Sequence, residues 1–281
     1  MSELRYEAPK TLDAAIALLA GAQGLTKVLA GGSDLLVQMK SGRVEPALIV
    51  DIKGIPEMTS ITAENGGFRV GAAMPCMEIV EHAAFAKAWP GVTEAVALIG
   101  SIQVKGRASV GGNLCNGSPA ADSVPALIAA AAMVNIVGPK GKREARVEDI
   151  ITAPGKTSLA KGEIVTSFFF AKRAPHSGDA YLRFTPRTEM DIAVVGVGIN
   201  LTLDEGGLCT AARVTLGAVA PTALLVKDAA DALAIERLAA AASAACRPID
   251  DKRGTKEYRI KVAAVLARRT AVEALARARQ N

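Results

Sequence analysis

Two glycine pairs, Gly31-Gly32 and Gly111-Gly112, constrain the fold of this chain more than any other feature of its sequence. Each pair follows a stretch with strand character and precedes a small polar residue, Ser33 or Asn113. Because glycine has no Cβ, such a turn brings the backbone close to a ligand and directs free N–H groups at it, which suits a phosphate or pyrophosphate. Glycine pairs also serve close packing alone, so one turn is weak evidence. Two such turns about 80 residues apart predict a pyrophosphate held between two subdomains.

The chain's other glycine motifs have different contexts. Gly66-Gly67 and Gly206-Gly207 lie between strand-like runs and predict hairpin turns. The stretch at residues 196–201 lacks the third glycine of a dinucleotide-binding fingerprint and lies inside a predicted strand, so it fails that test.

Hydrophobic periodicity and turn residues predict short helices that alternate with strands. Helices are predicted at residues 11–22, 35–40, 76–88, 92–99, 118–132, 229–246 and 257–279. Strands are predicted at residues 26–30, 47–52, 107–110, 133–137, 193–203 and 211–216, and a hairpin at 60–73. A change of composition near Pro175 indicates a domain boundary.

The composition excludes several classes of protein. The chain has 281 residues, a formal charge of +5 and 50% apolar residues, which suffices for a full-sized core. The longest apolar run, residues 124–137, is too short to span a bilayer. The charged N-terminal residues do not resemble a secretory signal, so we expect a cytoplasmic protein.

The cysteines and histidines predict no metal centre. Four cysteines are scattered without a CxxC pair, and the two histidines, His82 and His176, are isolated from each other. We expect reduced cysteines in a cytosolic fold.

The positive charge is concentrated at the C-terminus. Residues 251–281 contain nine Lys or Arg and three Asp or Glu, a net charge of +6 in a predicted helix. Nucleic-acid binding would need aromatics or a reading module, and this segment has only Tyr258. A solvated helix face or a subunit contact is the favoured interpretation.

Two further features allow both a structural and a functional interpretation. Asp122, in the first turn of the helix predicted at 118–132, either favours the helix dipole or accepts hydrogen bonds from a ribose or flavin. Residues 181–193 group an aromatic, two arginines and two acids, which form either an exposed turn with ion pairs or a platform beside a cofactor.

Four blocks of the sequence resemble one known family. They are LAGGSDL at 29–35, ASVGGN at 108–113, SPAAD at 118–122 and the stretch at 181–193. In this order and spacing they are similar to the FAD-binding, or medium, subunit of the molybdenum hydroxylases, such as xanthine dehydrogenase and aerobic carbon monoxide dehydrogenase. YEAP at 6–9 and Tyr258-Arg259 extend the resemblance over nearly the whole chain.

The resemblance implies an α+β fold with two domains. Residues 1–175 would form a two-subdomain FAD-binding fold of the type 2, PCMH-like class, divided at about 55. Residues 176–281 would form a C-terminal domain of antiparallel sheet and helices.

The resemblance also implies a non-covalent FAD site, since neither glycine turn contains a histidine. The first turn would wrap the pyrophosphate, the second would hold pyrophosphate and ribitol, Ile164 and Val165 would touch the adenine, and Tyr181 and Arg183 would approach the isoalloxazine. The residues assigned to this site are Leu29, Ala30, Gly31, Gly32, Ser33, Asp34, Leu35, Ile99, Ser109, Val110, Gly111, Gly112, Asn113, Asp122, Ile164, Val165, Tyr181 and Arg183.

Three departures from the family pattern stand out. Some relatives have an aromatic residue on the flavin where Ile99 stands here, and many have lysine at the position of Arg183. The inserted cysteine-bearing loop of relatives that hold a four-iron cluster is absent from this sequence.

The implied function is electron transfer. A large partner subunit would hold the molybdenum cofactor, a small partner would carry [2Fe–2S] clusters, and FAD on this chain would pass electrons to an acceptor such as NAD, a quinone or oxygen. The implied assembly is a dimer of heterotrimers, without nucleic acid or a transmembrane segment, and peripheral at the inner membrane at most. The alternatives are a self-contained FAD oxidase or dehydrogenase and a non-enzymatic assembly module with vestigial flavin motifs.

Overall fold

Three larger sheets and a two-stranded ribbon organise the chain. The computed structural model describes residues 4–188, 190–226 and 235–281, and it describes the side chains of all of these except 235 and 236. Glu189, in the stretch predicted at 181–193, lies outside the described residues, as do residues 229–234 of the helix predicted at 229–246.

The first fifty residues form a small parallel α/β unit, as predicted. Its elements are β1 (Arg5–Glu7), α1 (Leu12–Gly21), β2 (Thr26–Leu29), α2 (Leu35–Lys40) and β3 (Leu48–Asp51). The strands lie in the order β1-β3-β2 and are parallel. The Thr11 hydroxyl accepts a hydrogen bond from the backbone N–H of Ala14, which explains why α1 begins there.

The second part is built on a five-stranded antiparallel sheet in the order β4-β5-β10-β6-β7. Its strands, with those of the two-stranded ribbon, are β4 (Ile61–Glu64), β5 (Gly67–Gly71), β6 (Met133–Gly138), β7 (Gly141–Arg146), β8 (Ile151–Ala153), β9 (Lys156–Thr157) and β10 (Ile164–Phe170). Short 3₁₀ helices lie at Pro56–Thr59 and Val147–Asp149. The predicted hairpin is confirmed: Asn65 and Gly66 have φ of 51° and 75°, as a type I′ turn between two strands requires.

Six short helices connect β5 to β6. They are α3 (Cys76–Glu81), α4 (Ala83–Ala88), α5 (Pro90–Ala97), α6 (Ile102–Lys105), α7 (Val110–Cys115) and α8 (Ser123–Ala129). The single helix predicted at 76–88 is interrupted at His82, whose Nδ1 accepts the backbone N–H of Phe85 and so caps a new helix.

The prediction of a strand at 107–110 is wrong. Ser109 is the N-cap of α7, and its hydroxyl accepts the backbone N–H of Gly112 at 3.1 Å. The strand character of this segment is reduced to one isolated bridge between Pro75 and Ser109.

The helix predicted at 118–132 begins five residues later, at Ser123. Tertiary hydrogen bonds take the groups that an earlier helix would use: the carbonyl of Pro119 accepts the N–H of Ala218, and the N–H of Ser123 donates to Asn113 Oδ1. Asp122 is therefore the residue before α8 rather than part of its first turn.

The C-terminal part is a four-stranded antiparallel sheet covered by helices. Its elements are β11 (Ser177–Phe184), β12 (Val195–Leu203), β13 (Cys209–Gly217), β14 (Leu224–Leu225), α9 (Ile235–Ala245) and α10 (Lys256–Gln280). The hairpin at Gly206-Gly207 and the C-terminal helix are confirmed. Strand β11, which carries Tyr181 and Arg183, was not predicted.

Alanine and glycine let α10 lie directly on the third sheet. Ala263, Ala267, Ala274 and Ala278 of α10 are fully buried. A Cβ added to Gly178 of β11 would lie 2.1 Å from the carbonyl oxygen of Ala274. These small residues therefore allow close packing of the α10 backbone against the sheet.

Among the helices that the structure describes, none has the length and apolar character needed to cross a membrane.

We predict that Gly178→Ala lowers the free energy of unfolding by about 2 kcal/mol or more, because α10 and β11 must separate to admit the methyl group. Gly21→Ala is the matched control: a Cβ at Gly21 meets nothing within 4 Å. This control should be neutral or raise stability by about 0.5 kcal/mol. Urea denaturation measures both, and equal effects of the two changes would contradict the packing argument.

Candidate functional site

A cavity of about 270 Å³ lies where the first α/β unit meets the second sheet and α7. Both glycine turns contribute to it, as does the start of β10. The residues that line it are Lys27, Val28, Ala30, Gly31, Gly32, Ser33, Asp34, Leu35, Gln38, Ile52, Ala72, Ile99, Ala108, Ser109, Gly111, Gly112, Asn113, Cys115, Asn116, Thr157, Leu159, Glu163, Ile164 and Val165.

The first glycine turn presents unused backbone donors to this cavity. The amide groups of residues 31–34 donate to no acceptor in the described parts of the chain. Gly32 has a φ of +79°, a conformation that side-chain-bearing residues rarely adopt. Free backbone N–H groups in a turn can bind an anion, and the sequence predicted free amides for this turn.

The second glycine turn has a different construction. The N–H of Gly111 donates to the carbonyl of Ala72, and that of Gly112 donates to the hydroxyl of Ser109. The expectation that both turns offer free N–H groups is therefore wrong for the second one. This turn is the capped start of α7, and both amides already donate hydrogen bonds within the protein.

Close packing explains two of the four glycines. A Cβ on Gly31 would lie 2.2 Å from the carbonyl oxygen of Arg107, and one on Gly111 would lie 2.4 Å from that of Ala72. Gly112 differs, because the nearest atom to an added Cβ is the Ser109 hydroxyl at 3.1 Å. Its missing side chain leaves room in the cavity.

Side-chain hydrogen bonds hold the two turns together. Gln38 of α2 donates to Asn116, just beyond α7, at 3.1 Å. Asn113 Oδ1 accepts both the hydroxyl of Ser123 at 2.6 Å and its backbone N–H at 3.3 Å. The relative placement of α2, α7 and α8 is thus set by polar contacts beside the cavity.

Three charged residues line the cavity. Burial raises the pKa of Asp34 above its usual value. Hydrogen bonds from the Arg143 guanidinium lower the pKa of Glu163 to about 2, so this carboxylate stays ionised and bound to Arg143. Lys27 contributes a positive charge at the same site.

The structure brings most of the predicted site residues to this cavity, but not all. Ala30, the four turn glycines, Ser33, Asp34, Leu35, Ile99, Ser109, Asn113, Ile164 and Val165 all line it. Leu29 and Val110 are buried beside it without lining it. Asp122, Tyr181 and Arg183 form a separate cluster.

That cluster is a buried hydrogen-bonded group between α8 and β11. Arg183 Nη1 donates to Asp122 Oδ2 at 2.7 Å, and the Tyr181 hydroxyl lies 3.3 Å from Asp122 Oδ1. The side chains of Arg183 and Asp122 are 6% and 13% exposed. Burial raises the pKa of Asp122, and the charge of Arg183 opposes that rise.

Tyr181 is a core residue in this structure, since it is only 2% exposed and packs with the larger hydrophobic core. Its backbone N–H donates to Glu94 at 3.0 Å. Burial raises the pKa of the Tyr181 hydroxyl well above its usual value, so it stays protonated and can donate to Asp122. The interpretation of residues 181–193 as an exposed turn is wrong for Tyr181 and Arg183, which lie in β11.

Several cavity residues were not predicted. Lys27, Val28, Gln38, Asn116, Thr157, Leu159 and Glu163 reach the cavity through tertiary contacts. Thr157 and Leu159 lie in and after the short strand β9, where no glycine turn or charge pattern marks a site. Cys115 also lines the cavity, and burial raises the pKa of its thiol to about 12, so it remains protonated.

The cysteines and acidic residues form no group able to hold a metal ion in the part of the chain that the structure describes. All four cysteines are free.

Comparison with known proteins relates both parts of the chain to flavoprotein families. A family model described as the FAD binding domain in molybdopterin dehydrogenase matches residues 2–171, and one described as the CO dehydrogenase flavoprotein C-terminal domain matches residues 180–274.

Relatives that the chain matches over nearly their whole length are also subunits of such dehydrogenases. The chain is 31% identical to the xanthine dehydrogenase FAD-binding subunit of Escherichia coli O157:H7, over 97% of this chain and 96% of the relative. It is 30% identical to the carbon monoxide dehydrogenase medium chain of Hydrogenophaga pseudoflava, over 97% of each.

Solved structures agree with these matches. A chain of reconstituted CO dehydrogenase from Oligotropha carboxidovorans superposes with a TM-score of 0.93 at 29% identity, over 98% of both chains. A chain of quinoline 2-oxidoreductase from Pseudomonas putida 86 gives a TM-score of 0.89 at 26% identity, again over 98% of both chains.

We predict that Arg183→Met costs about 3 kcal/mol of unfolding free energy at neutral pH, because Asp122 is left buried without its cation. A carboxyl whose pKa is raised by folding binds its proton more tightly in the folded state, so falling pH favours folding. The variant should therefore regain stability relative to the unmodified chain as the pH falls from neutral toward about 4.

Urea denaturation of the ligand-free chain across this pH range measures the effect. The double variant Asp122→Asn/Arg183→Met is the control and should lack the pH-dependent recovery. A loss that is the same at every pH would mean that Asp122 is not the group responsible.

Proposed function

The chain belongs to the family of FAD-binding subunits of the molybdopterin dehydrogenases, and from this membership we propose that it is the electron-transferring flavoprotein subunit of a molybdenum hydroxylase. It accepts electrons from [2Fe–2S] clusters of a partner subunit and passes them to an external acceptor. The chain is thus part of an oxidoreductase, and substrate oxidation takes place on another subunit.

The observation that carries this proposal is the row of free amides at residues 31–34 on the wall of the cavity. FAD has a pyrophosphate with two negative charges, and backbone N–H groups bind such a group without an opposing cation. Gly112 provides the space next to it. These features fit FAD, and a fully paired turn would not.

The remaining site residues have proposed roles that follow from their positions. Ile164 and Val165, at the start of β10, offer an apolar surface for the adenine, and Ile99 offers one for the flavin ring. Ser109 and Asn113 lie where the ribitol and phosphates would pass. Leu29 and Val110 support the two turns from behind.

FAD supplies the redox chemistry when bound, because it accepts electrons one at a time and releases them in pairs. The protein holds the cofactor, excludes water from it and sets its electrostatic surroundings. We assign the last role to the Asp122–Arg183–Tyr181 cluster, in which Asp122 nearly neutralises the charge of Arg183 and Tyr181 stays protonated.

We propose that residues 1–175 bind the cofactor and that residues 176–281 form the C-terminal domain. Two hydrophobic clusters support this division: the buried residues of the larger lie before residue 171, apart from Tyr181, and those of the smaller lie from Ala180 onward.

The partners follow from the relatives. Relatives are called FAD-binding subunits and medium chains, and one structure's description names a Cu,Mo-CO dehydrogenase. We propose a large molybdenum-binding partner and a small iron–sulfur partner, assembled with this chain as a dimer of heterotrimers. We also propose a cytoplasmic location, with membrane contact only through the complex.

The names of the relatives bear on whether this subunit or a partner selects the substrate. They refer to xanthine, carbon monoxide, nicotinate and nicotine, which differ greatly in size and chemistry. Because subunits similar to this chain occur in enzymes with such different substrates, the names support a subunit that transfers electrons while a partner subunit selects the substrate.

We predict that Gly112→Val lowers FAD affinity by at least about tenfold, since a β-branched side chain would enter the cavity at the cofactor. Gly21→Val is the matched control, because a side chain there meets nothing within 4 Å. Flavin content per protein after gel filtration measures retention, and circular dichroism confirms folding. A folded Gly112→Val protein with full flavin would disprove the assigned site.

A second prediction concerns the partners. The untagged native chain should co-purify with two further subunits, together with molybdenum and iron–sulfur absorption. The FAD-loaded chain alone should be reducible but should turn over no organic substrate. Turnover by the isolated chain would favour the self-contained oxidase, and a colourless chain that refuses FAD would favour the assembly module.

A further inference from the structure

A second and larger cavity, of about 530 Å³, lies between the two parts of the chain. One wall consists of the β4–β5 turn and the segment where α4 meets α5. The other wall consists of the start of β11 and the end of α10. Sites at domain junctions with volumes in this range commonly bind small molecules.

The lining of this cavity is positively charged. Lys87, Lys172, Arg173 and Arg277 all line it, and no Asp or Glu side chain is among its lining residues in the described chain. Among the described residues, the side chains that line the cavity therefore include four cations and no acid.

Each of the two arginines is paired with a carboxylate that is not part of the cavity lining. Arg173 is paired with Asp179, whose side chain is 3% exposed, and Arg277 is paired with Glu94. The charges of these arginines are largely balanced, and their positions are fixed by these pairs.

The two lysines give the cavity its excess charge. Neither Lys87 nor Lys172 has an ion-pair or hydrogen-bond partner among the contacts of the described residues. The stem of Lys172 lies over the β4–β5 turn, since a Cβ on Gly66 would be 3.1 Å from its Cδ. Two unpaired ammonium groups on one cavity wall attract a ligand with at least two negative charges.

A buried tryptophan lies beside these charges. Trp89 lines the cavity and is 4% exposed, and the Arg173 guanidinium carbon lies 4.7 Å from its ring centroid. This residue is the only tryptophan of the chain, so the tryptophan fluorescence reports on a position at this cavity.

We propose that this cavity is a second anion site, separate from the FAD cavity, and that it binds a small phosphorylated or diphosphate-bearing metabolite. Lys87 and Lys172 contact the phosphate groups, and Arg277 approaches them from α10. Because the ligand touches both parts of the chain, its binding stabilises their association.

The test is a titration of the chain with inorganic pyrophosphate while its FAD cavity is saturated with FAD, at low and constant ionic strength. We expect a saturable change in Trp89 fluorescence and a rise in melting temperature with ligand concentration. Lys87→Gln and Lys172→Gln should each weaken binding by about threefold or more, and the double variant by about tenfold or more.

Lys261→Gln is the matched control, because Lys261 is also exposed, on α10, and lines neither cavity. It should leave the affinity unchanged. Exposed lysines are not needed for folding, so loss of binding in the Lys87 and Lys172 variants would not reflect unfolding.

Three results would overturn the proposal. The first is the absence of a saturable signal up to millimolar pyrophosphate. The second is equal affinity in the unmodified chain and in the Lys87→Gln/Lys172→Gln variant. The third is binding seen in a parallel titration of the FAD-free chain that disappears once FAD is loaded, which would assign the pyrophosphate to the first cavity. Flavin content, measured separately, distinguishes each of these from a failure of FAD binding.

Discussion

The contact between the first glycine turn and the backbone before α7 is the constraint on which the rest of the structure depends. Gly31 lies against the carbonyl of Arg107, and Gly111 lies against that of Ala72, at separations that leave no room for a Cβ. These contacts set how closely the parallel unit and the second sheet approach the segment that contains α7. The cavity exists because three backbones meet there and the row of free amides at residues 31–34 remains uncovered.

The junction between the two parts of the chain is held by polar contacts that are equally specific. The Thr215 hydroxyl donates to the carbonyl of Pro125 at 2.6 Å, which ties β13 to α8. Asp122 pairs with Arg183 across the same junction, and Arg213 pairs with Glu148 at 2.7 Å. Charge-assisted hydrogen bonds in a buried setting demand a defined geometry, so the two parts meet in one arrangement. The second cavity depends on that arrangement, since residues of both parts line it.

Much of the fold could be read from local patterns. The cap at Thr11, the turn at Asn65-Gly66 and the long C-terminal helix rest on interactions within a few residues, and all three are present. The errors occurred where distant groups competed for local hydrogen bonds. The helix predicted from 118 starts at Ser123 because Ala218 takes the carbonyl of Pro119.

The distinction between local patterns and contacts with distant residues applies to the site as well. Glycine pairs, their spacing and their polar neighbours suffice to identify two turns at one cavity, because those properties belong to the residues themselves. The role of each glycine depends on the tertiary structure. Gly31 and Gly111 pack against distant backbone carbonyls, Gly32 adopts a positive φ, and Gly112 leaves space in the cavity. The burial of Tyr181 likewise depends on Gly196 of the neighbouring strand, where a Cβ would lie 2.6 Å from the tyrosine hydroxyl. Local chemistry selects the residue types, whereas packing between distant segments assigns their roles, because steric exclusion and burial arise only once those segments meet.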